Sequence, residues 1–304
     1  MTDTLQSWVE TMLDRQVNPA VRAFAQSLGQ EARAQAVLFY GSNLRTGSLE
    51  GVLDFYVLLP GEQVERIWPR IGYREHPPGA GTMRAKVATL SLAQFARAAE
   101  GDSADTTIWT RFTQPSALIW TRDGEARRQV AAAIGEAART AASLAAVLGP
   151  PEGTWQDYWR ALFRATYRAE FRVERPGREE AILAAAPEHY RTLLPLAWKA
   201  ASLPFALIAD DRYRPDLTTG DRQRWNRWWR VRQRLGKPLN IARLIKAATT
   251  FDGAADYAAW KVQRHSGVQL KVTPFRQQHP LLSVPGAAWE LWRKRPTHRH
   301  DQPK

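Results

Sequence analysis

The 304-residue chain contains no cysteine. That single absence excludes disulfides, thiolate metal sites and cysteine nucleophiles, and it fits a reducing compartment. Histidine is scarce, with six in all, and none are spaced as a metal-ligand cluster. His298 and His300 belong to a basic tail. There is no Walker-type phosphate loop and no G-x-S-x-G elbow. Internal repeats are missing too. No run reaches the ~18 apolar residues that a membrane-spanning helix requires. The nearest, Leu193 to Ala209, is broken by Pro195, Lys199 and Pro204 and reads as buried core. The first residues, MTDTLQSWVETMLD, lack the basic and then apolar regions of a signal peptide.

Hydrophobic residues make up 44% of the chain and charged residues 24%, a balance that supports a folded globular core rather than disorder. The formal net charge is +13. Such a surface attracts polyanions, whether nucleic acid, nucleotide phosphates or anionic lipid headgroups, and charge alone does not choose among them.

The periodicity of the first half alternates between helix and strand. Val21 to Gln35 reads as a helix, and Ala36 to Tyr40 as a short buried strand ended by a Gly41-Ser42 turn. A polar loop, Asn43 to Gly51, leads to a second apolar strand, Val52 to Leu59, whose one charge is Asp54. The sequence PPGAG (77–81) marks a loop, and Met83 to Leu90 reads as a third strand. Ser91 and Gln94 match a capping box for a helix running to about Glu100. Ser116 to Trp120 reads as a fourth strand, and Asp123 caps an alanine-rich helix that stops at Gly149-Pro150-Pro151. Beyond that break the pattern is almost wholly helical: Trp155 to Glu174, Pro187 to Asp210, Asp221 to Leu235 and Asn240 to Ser266. The expected fold is therefore α+β. A mixed sheet flanked by helices occupies residues 1–150. A mostly α-helical domain at 151–270 completes a cleft, and a basic, proline-punctuated tail spans 271–304.

A Gly-Ser turn allows close backbone approach to a phosphate and adds a hydroxyl donor. An aspartate on the neighbouring strand supplies an oxygen ligand for a divalent cation. Gly41-Ser42 followed by Asp54 has this G-S…D arrangement of nucleotidyltransferase folds, so the expected domain at 1–150 is a nucleotidyltransferase-like mixed sheet flanked by helices. An unpaired carboxylate within Val52-Leu53-Asp54-Phe55-Tyr56 is costly unless it has a task or a backbone partner. Tyr56 stands where many nucleotidyl-transfer enzymes carry a second acid, so a second carboxylate has to come from elsewhere. Glu170, among arginines and aromatics, is the candidate; the alternative for it is a solvated salt bridge.

These elements resemble, in order, the mitochondrial translocator assembly and maintenance proteins, which are CTP:phosphatidate cytidylyltransferases. Tyr40-Gly41-Ser42-Asn43-Leu44 is similar to the family's Y-G-S-G-V, and Leu53-Asp54-Phe55-Tyr56 to its I-D-[FL]-I, which has a single acid. Ala85-Lys86-Val87-Ala88-Thr89 is similar to K-Y-G-V-V, and Thr110-Arg111-Phe112-Thr113-Gln114-Pro115 to A-G-R-L-x-K-P-V. Thr166-Tyr167-Arg168-Ala169-Glu170-Phe171-Arg172 is similar to S-Y-x-G-D-[FI]-R, with glutamate for aspartate. Arg243 to Thr250 and Tyr257 to Arg264 follow the family's closing motifs, so the resemblance runs from about residue 36 to 265. There are departures: Asn43 replaces a glycine, and no N-x-x-H-Y-S element lies between Pro60 and Gly81. They describe a divergent bacterial branch.

The resemblance implies formation of CDP-diacylglycerol and pyrophosphate from CTP and phosphatidic acid with Mg²⁺. Asp54 and Glu170 would hold the metal, with Lys86 as the phosphate lysine. Tyr40, Gly41, Ser42 and Arg111 would contact nucleotide, and Lys246 the lipid phosphate or pyrophosphate. It also implies a cytoplasmic protein, peripheral on the inner face of the cytoplasmic membrane, with no specific nucleic acid partner and with its oligomeric state open. Two further readings stand beside it: a nucleotidyltransferase with another phosphorylated or hydroxyl acceptor, and a non-catalytic basic protein that binds membrane or nucleic acid. Trp225, Trp228, Trp229 and Leu235 lie at roughly helical spacing among six arginines. Such a helix can lie on an anionic membrane, pack its tryptophans into the core, or stack on single-stranded nucleic acid. Trp289 to Arg295 repeats the aromatic and basic pattern.

Overall fold

The computed structural model describes residues 4–76, 82–170 and 177–250. The first half comprises α1 (Leu5–Leu13), α2 (Pro19–Glu31), β1 (Ala36–Tyr40), α3 (Ser42–Thr46), β2 (Val52–Leu59), β3 (Arg70–His76), β4 (Met83–Ser91), α4 (Leu92–Ala99), α5 (Thr107–Phe112), β5 (Ser116–Thr121) and α6 (Gly124–Leu148). The second half comprises β6 (Gly153–Thr154), α7 (Trp155–Ala169), α8 (Arg178–Ala184), α9 (Pro187–Ala200), β7 (Phe205–Ala209), β8 (Arg212–Pro215) and α10 (Thr219–Thr250).

The fold is α+β. The main sheet has the order β3-β4-β2-β1-β5 and is mixed: β2 pairs with β1 antiparallel and with β4 in parallel. Its two faces explain why β2 is apolar nearly throughout. Leu53, Phe55 and Val57 point to one side, where α2 covers them with Val21, Phe24, Ala25 and Leu28. That spacing is one helical face. Tyr56 and Leu58 point to the other side, together with Leu38 from β1 and Ala88 and Leu90 from β4. Period-two alternation then puts Asp54 on that second face as well.

The second face is closed by helices gathered around α6. Alanine on nearly every side of α6 lets its neighbours approach closely, and sixteen of its residues are buried. By length and composition α6 could cross a membrane, yet 83% of its apolar window is buried inside the fold, as expected of a core helix. Trp155, Trp159 and Phe163 from α7 and Leu194 and Trp198 from α9 belong to the same hydrophobic cluster as Phe95, Trp109 and Phe112. The core is thus continuous across Gly149-Pro150-Pro151. His189 joins α9 to the end of α5 by donating from Nε2 to the Thr113 carbonyl at 2.8 Å.

Several sequence expectations change, and one open choice is decided. Pro187 to Asp210 is not one helix: α9 ends at Ala200, and Phe205–Ala209 forms the edge of a small sheet of order β6-β8-β7. Pro204 and the β-branched and aromatic residues around it disfavour further helix. β3 adds a fifth strand to the main sheet; it is charged and half-exposed at the sheet edge, so it carries no apolar run to announce it. Finally, Trp225, Trp228 and Trp229 do not face outward. Trp229 is buried, Trp228 packs on Trp109 with ring centroids 5.9 Å apart, and Trp225 stacks edge-on against Trp228. The 77–81 loop, the helix beyond residue 250, and the tail with Trp289 to Arg295 lie outside the described residues.

α10 runs through Gly236-Lys237-Pro238 as one element. A side chain at Gly236 would come within 2.4 Å of the Ala169 carbonyl oxygen at the end of α7. In an ordinary helix, Gly→Ala stabilises by about 1 kcal/mol. Here the sign reverses: Gly236→Ala should destabilise the protein by roughly 1–3 kcal/mol through forced backbone shifts, read by denaturant unfolding.

Burial lowers the His189 pKa from 6.5 to about 4, partly opposed by its bond to Thr113 and aided by Arg15. Between those values the unfolded chain binds the extra proton and the native state does not. Stability should therefore decline as pH falls from 6.5 to about 4 and then stop declining on this account. A His189→Asn variant should show a shallower loss of Tm over the same window.

Candidate active site

The β1–α3 turn begins with Gly41 at φ +91°, a region L side chains rarely adopt. A Cβ at Gly41 would lie 3.0 Å from Asp54 Oδ2, so glycine lets the turn settle directly over the carboxylate. The register supplies the neighbours: Tyr40 lies opposite Asp54 on β1, and Lys86 lies opposite it on β4. All three are in register on adjacent strands and line one cleft of about 210 Å³. Gly41 and Ser42 line it as well, and Arg111 enters from α5.

Asn43 explains how the turn is held. It stands where the resembled family has glycine, it is buried, and its Nδ2 donates to the carbonyls of Ser48 at 2.9 Å and Glu50 at 2.8 Å. The asparagine thus ties the 42–51 segment to itself. Part of the expected polar loop is helical, because α3 starts at Ser42.

Electrostatics divide the cleft into one acid and several bases. Burial raises the Asp54 pKa from 3.8, while Lys86 and Arg111 pull it back down. Burial would lower the Arg111 guanidinium, but Tyr56, Tyr40, Glu170 and Asp54 push it above the usual arginine range. Arg111 donates to the Tyr56 hydroxyl at 2.5 Å and lies 5.3 Å from the Tyr40 ring centroid. Tyr56, where a second acid is common, therefore orients a cation.

Glu170 is not on the helix proper. It caps the C-terminus of α7, is 4% exposed, and accepts from Thr106 Oγ1 at 2.6 Å. It does not line the cleft with Asp54, and its charge reaches the cleft through Arg111. Lys246 departs further from expectation. Its Nζ donates to Glu65 and to the Ile67 carbonyl on the β2–β3 connection, so it braces α10 and is absent from the cleft lining. Three polar lining residues of α3 and the second half were not singled out as contacts: Arg45, Tyr167 and Arg178. Arg45 lies three residues after Ser42, a spacing that carries meaning only because the segment is helical.

A loop from α4 to α5 supports this arrangement from behind. Asp105 pairs with Arg243 of α10 at 2.6 Å, next to the Thr106 that holds Glu170. Trp228 Nε1 and Arg232 both donate to the Gly101 carbonyl. α10 therefore fixes the loop that fixes Glu170 beside Arg111.

Among the described residues, no group of three or more His, Cys, Asp or Glu could hold a metal ion. Among the described residues, Asp54 is the one carboxylate in the cleft lining. Magnesium ordinarily takes one or two carboxylates plus substrate phosphates. The donor set fits an ion that arrives on a polyphosphate and does not form a resident metal cage.

No family model matches the chain, and no curated protein matches it. Among solved structures, a nucleotidyltransferase-like protein from Exiguobacterium sibiricum 255-15 is 12% identical. The match covers 90% of this chain and 88% of that one with a TM-score of 0.25, a level of likeness that carries no argument.

Because the Asp54 pKa is raised, its ionised form costs native stability above the ordinary carboxylate range. Asp54→Asn should raise Tm at pH 7, and its advantage should shrink as pH falls towards 3.8, where the unfolded wild-type aspartate is protonated too. A site kept for its chemistry at the expense of stability behaves this way. Thermal unfolding of both proteins across pH 3.5–7.5 is the measurement.

Proposed function

We propose that the chain is a nucleotidyltransferase that binds a nucleoside triphosphate with Mg²⁺ and passes its nucleotidyl group to an anionic acceptor. One observation carries this reading: the Gly41 backbone lies over the buried Asp54 carboxylate, with Lys86 and Arg111 close enough to offset part of the rise in its pKa that burial causes. A glycine turn, a lone buried acid and flanking cations suit a triphosphate better than a neutral ligand.

The acceptor oxygen attacks the α-phosphorus, a new P–O bond forms, the α–β bridging bond breaks, and pyrophosphate leaves. Lys86 and Arg111 neutralise charge on the phosphates, while the Gly41-Ser42 turn and the Ser42 hydroxyl orient them. Asp54, with Glu170 held behind Arg111, would face the cation. Mg²⁺ bound there would supply Lewis-acid neutralisation of phosphate charge. Among the described residues, the cleft lining has no histidine and no second carboxylate to take a proton. A phosphate monoester is already ionised at neutral pH and needs no such base, whereas a hydroxyl acceptor does.

The order of motifs from residue 36 to 265 favours CTP as donor and phosphatidic acid as acceptor, at the inner face of the cytoplasmic membrane. The surface that supports an anionic membrane is not the tryptophan face of α10. Val231, Leu235, Ile241 and Ile245 are exposed along α10, and Arg227, Arg230 and Arg234 are exposed beside them. Exposed aliphatic side chains bordered by arginine suit an anionic interface.

Labelled CTP, Mg²⁺ and phosphatidic acid vesicles should yield CDP-diacylglycerol and pyrophosphate. Asp54→Ala should reduce the rate by roughly 10²–10³-fold or more, the scale of removing a main electrostatic group. Product formation only with hydroxyl acceptors would move the activity to another acceptor class. No turnover with any triphosphate would contradict the proposal.

A further inference from the structure

We infer that Arg45 is a phosphate ligand that grips the outer part of the triphosphate, the portion that departs as pyrophosphate. The inference rests on the nucleotidyltransferase reading of the same cleft. It adds a residue that neither the motif order nor the resemblance singles out.

The placement follows from local geometry. Gly41 caps α3, and Ser42 is its first residue. Residues three apart on a helix share a face, so a helix starting at Ser42 turns Arg45 towards the same cleft, and both line it. The sheet order β4-β2-β1 puts Lys86 on one side of Asp54 and the β1–α3 turn on the other. A chain of phosphates centred on Asp54 would thus have Lys86 on one flank and Arg45 on the other. Three residues of helix advance about 4.5 Å, so a triphosphate whose α-phosphate lies at the Gly41-Ser42 turn would meet Arg45 with the phosphates that follow it.

Partnering distinguishes Arg45 from the other cations that line the cleft, Lys86, Arg111 and Arg178, each of which has a partner. It is half-buried, and among the described residues it makes no hydrogen bond or ion pair. Its charge reaches the buried Tyr190 phenol, where it opposes the rise that burial causes. The acids of α8, the helix whose Arg178 and Ile182 line the same cleft, are already taken: Glu179 pairs with Arg164 at 2.6 Å and Glu180 with Arg160 at 2.5 Å. Arg243 is committed to Asp105, and Arg111 to Tyr56. A half-buried guanidinium with no counter-charge among the described residues, beside a glycine-serine turn, is suited to an anionic ligand. Its planar fork matches two phosphate oxygens at once, which an ammonium does not.

The test is calorimetric binding of Mg²⁺-tripolyphosphate, Mg²⁺-CTP and CMP to the full chain and to Arg45→Met and Arg45→Lys. Charge-assisted bonds of this kind are worth about a factor of ten or more in affinity. Arg45→Met should weaken tripolyphosphate and CTP by at least roughly tenfold and leave CMP unchanged, because CMP lacks the outer phosphates. Arg45→Lys keeps the charge and the aliphatic stem and should fall in between. Equal tripolyphosphate affinity for wild type and Arg45→Met would overturn the assignment, as would an equal loss for CMP and CTP. If the wild type binds neither CTP nor tripolyphosphate, the nucleotidyltransferase reading itself fails, and the role of Arg45 falls with it.

Discussion

Everything in the cleft depends on the contact between the Gly41 backbone and the Asp54 carboxylate. A turn with φ +91° can exist there only because glycine has no Cβ, and the missing Cβ is also what lets the turn rest on Oδ2. One residue choice therefore solves two problems: reversing the chain after β1, and letting the backbone pass close over a buried acid. The cost of burying that acid is visible in its raised pKa, and the neighbouring Lys86 and Arg111 offset part of it. Fold and chemistry meet at this point. The antiparallel pairing of β1 with β2 and the parallel pairing of β2 with β4 decide which side chains flank Asp54.

Behind that contact is a second layer of charge that never lines the cleft. Arg111 lies among Tyr40, Tyr56, Asp54 and Glu170, and Glu170 is held by Thr106. Thr106 belongs to a loop pinned by Arg243, Trp228 and Arg232 from α10. The close approach of Gly236 to Ala169 brings α10 against the end of α7, one residue before Glu170. The long basic helix thus acts as a brace. Its tryptophans are spent on packing, while its aliphatic side chains are left exposed.

The parts of this arrangement that local chemistry specifies were legible in the sequence. β1 and β2 are apolar runs bounded by glycine or proline, and Ser91 and Asp123 cap their helices through the Gln94 and Ala126 amides. Asp54 drew notice because a charge within such a run is expensive. Tertiary context decided the rest. β3 has no apolar pattern because it is an edge strand, and Phe205–Ala209 follows a helix closely enough to be read as its continuation. The tryptophans of α10 lie at a spacing that suits a membrane and a core equally, and only the position of Trp109 separates the two. Lys246 occupied a plausible motif slot, but its partner Glu65 is far away in sequence. Arg45 was hidden because the segment after Gly41 read as loop, and a loop gives no helical phase from which to place a side chain.

The most direct test of the account is a crystal structure of the full chain grown with Mg²⁺ and a non-hydrolysable CTP analogue. The account predicts the phosphates against the Gly41-Ser42 backbone, an ion contacting Asp54, and Lys86 and Arg45 on opposite flanks. Nucleotide bound elsewhere, or a metal held by Glu170 with Asp54 uninvolved, would contradict it.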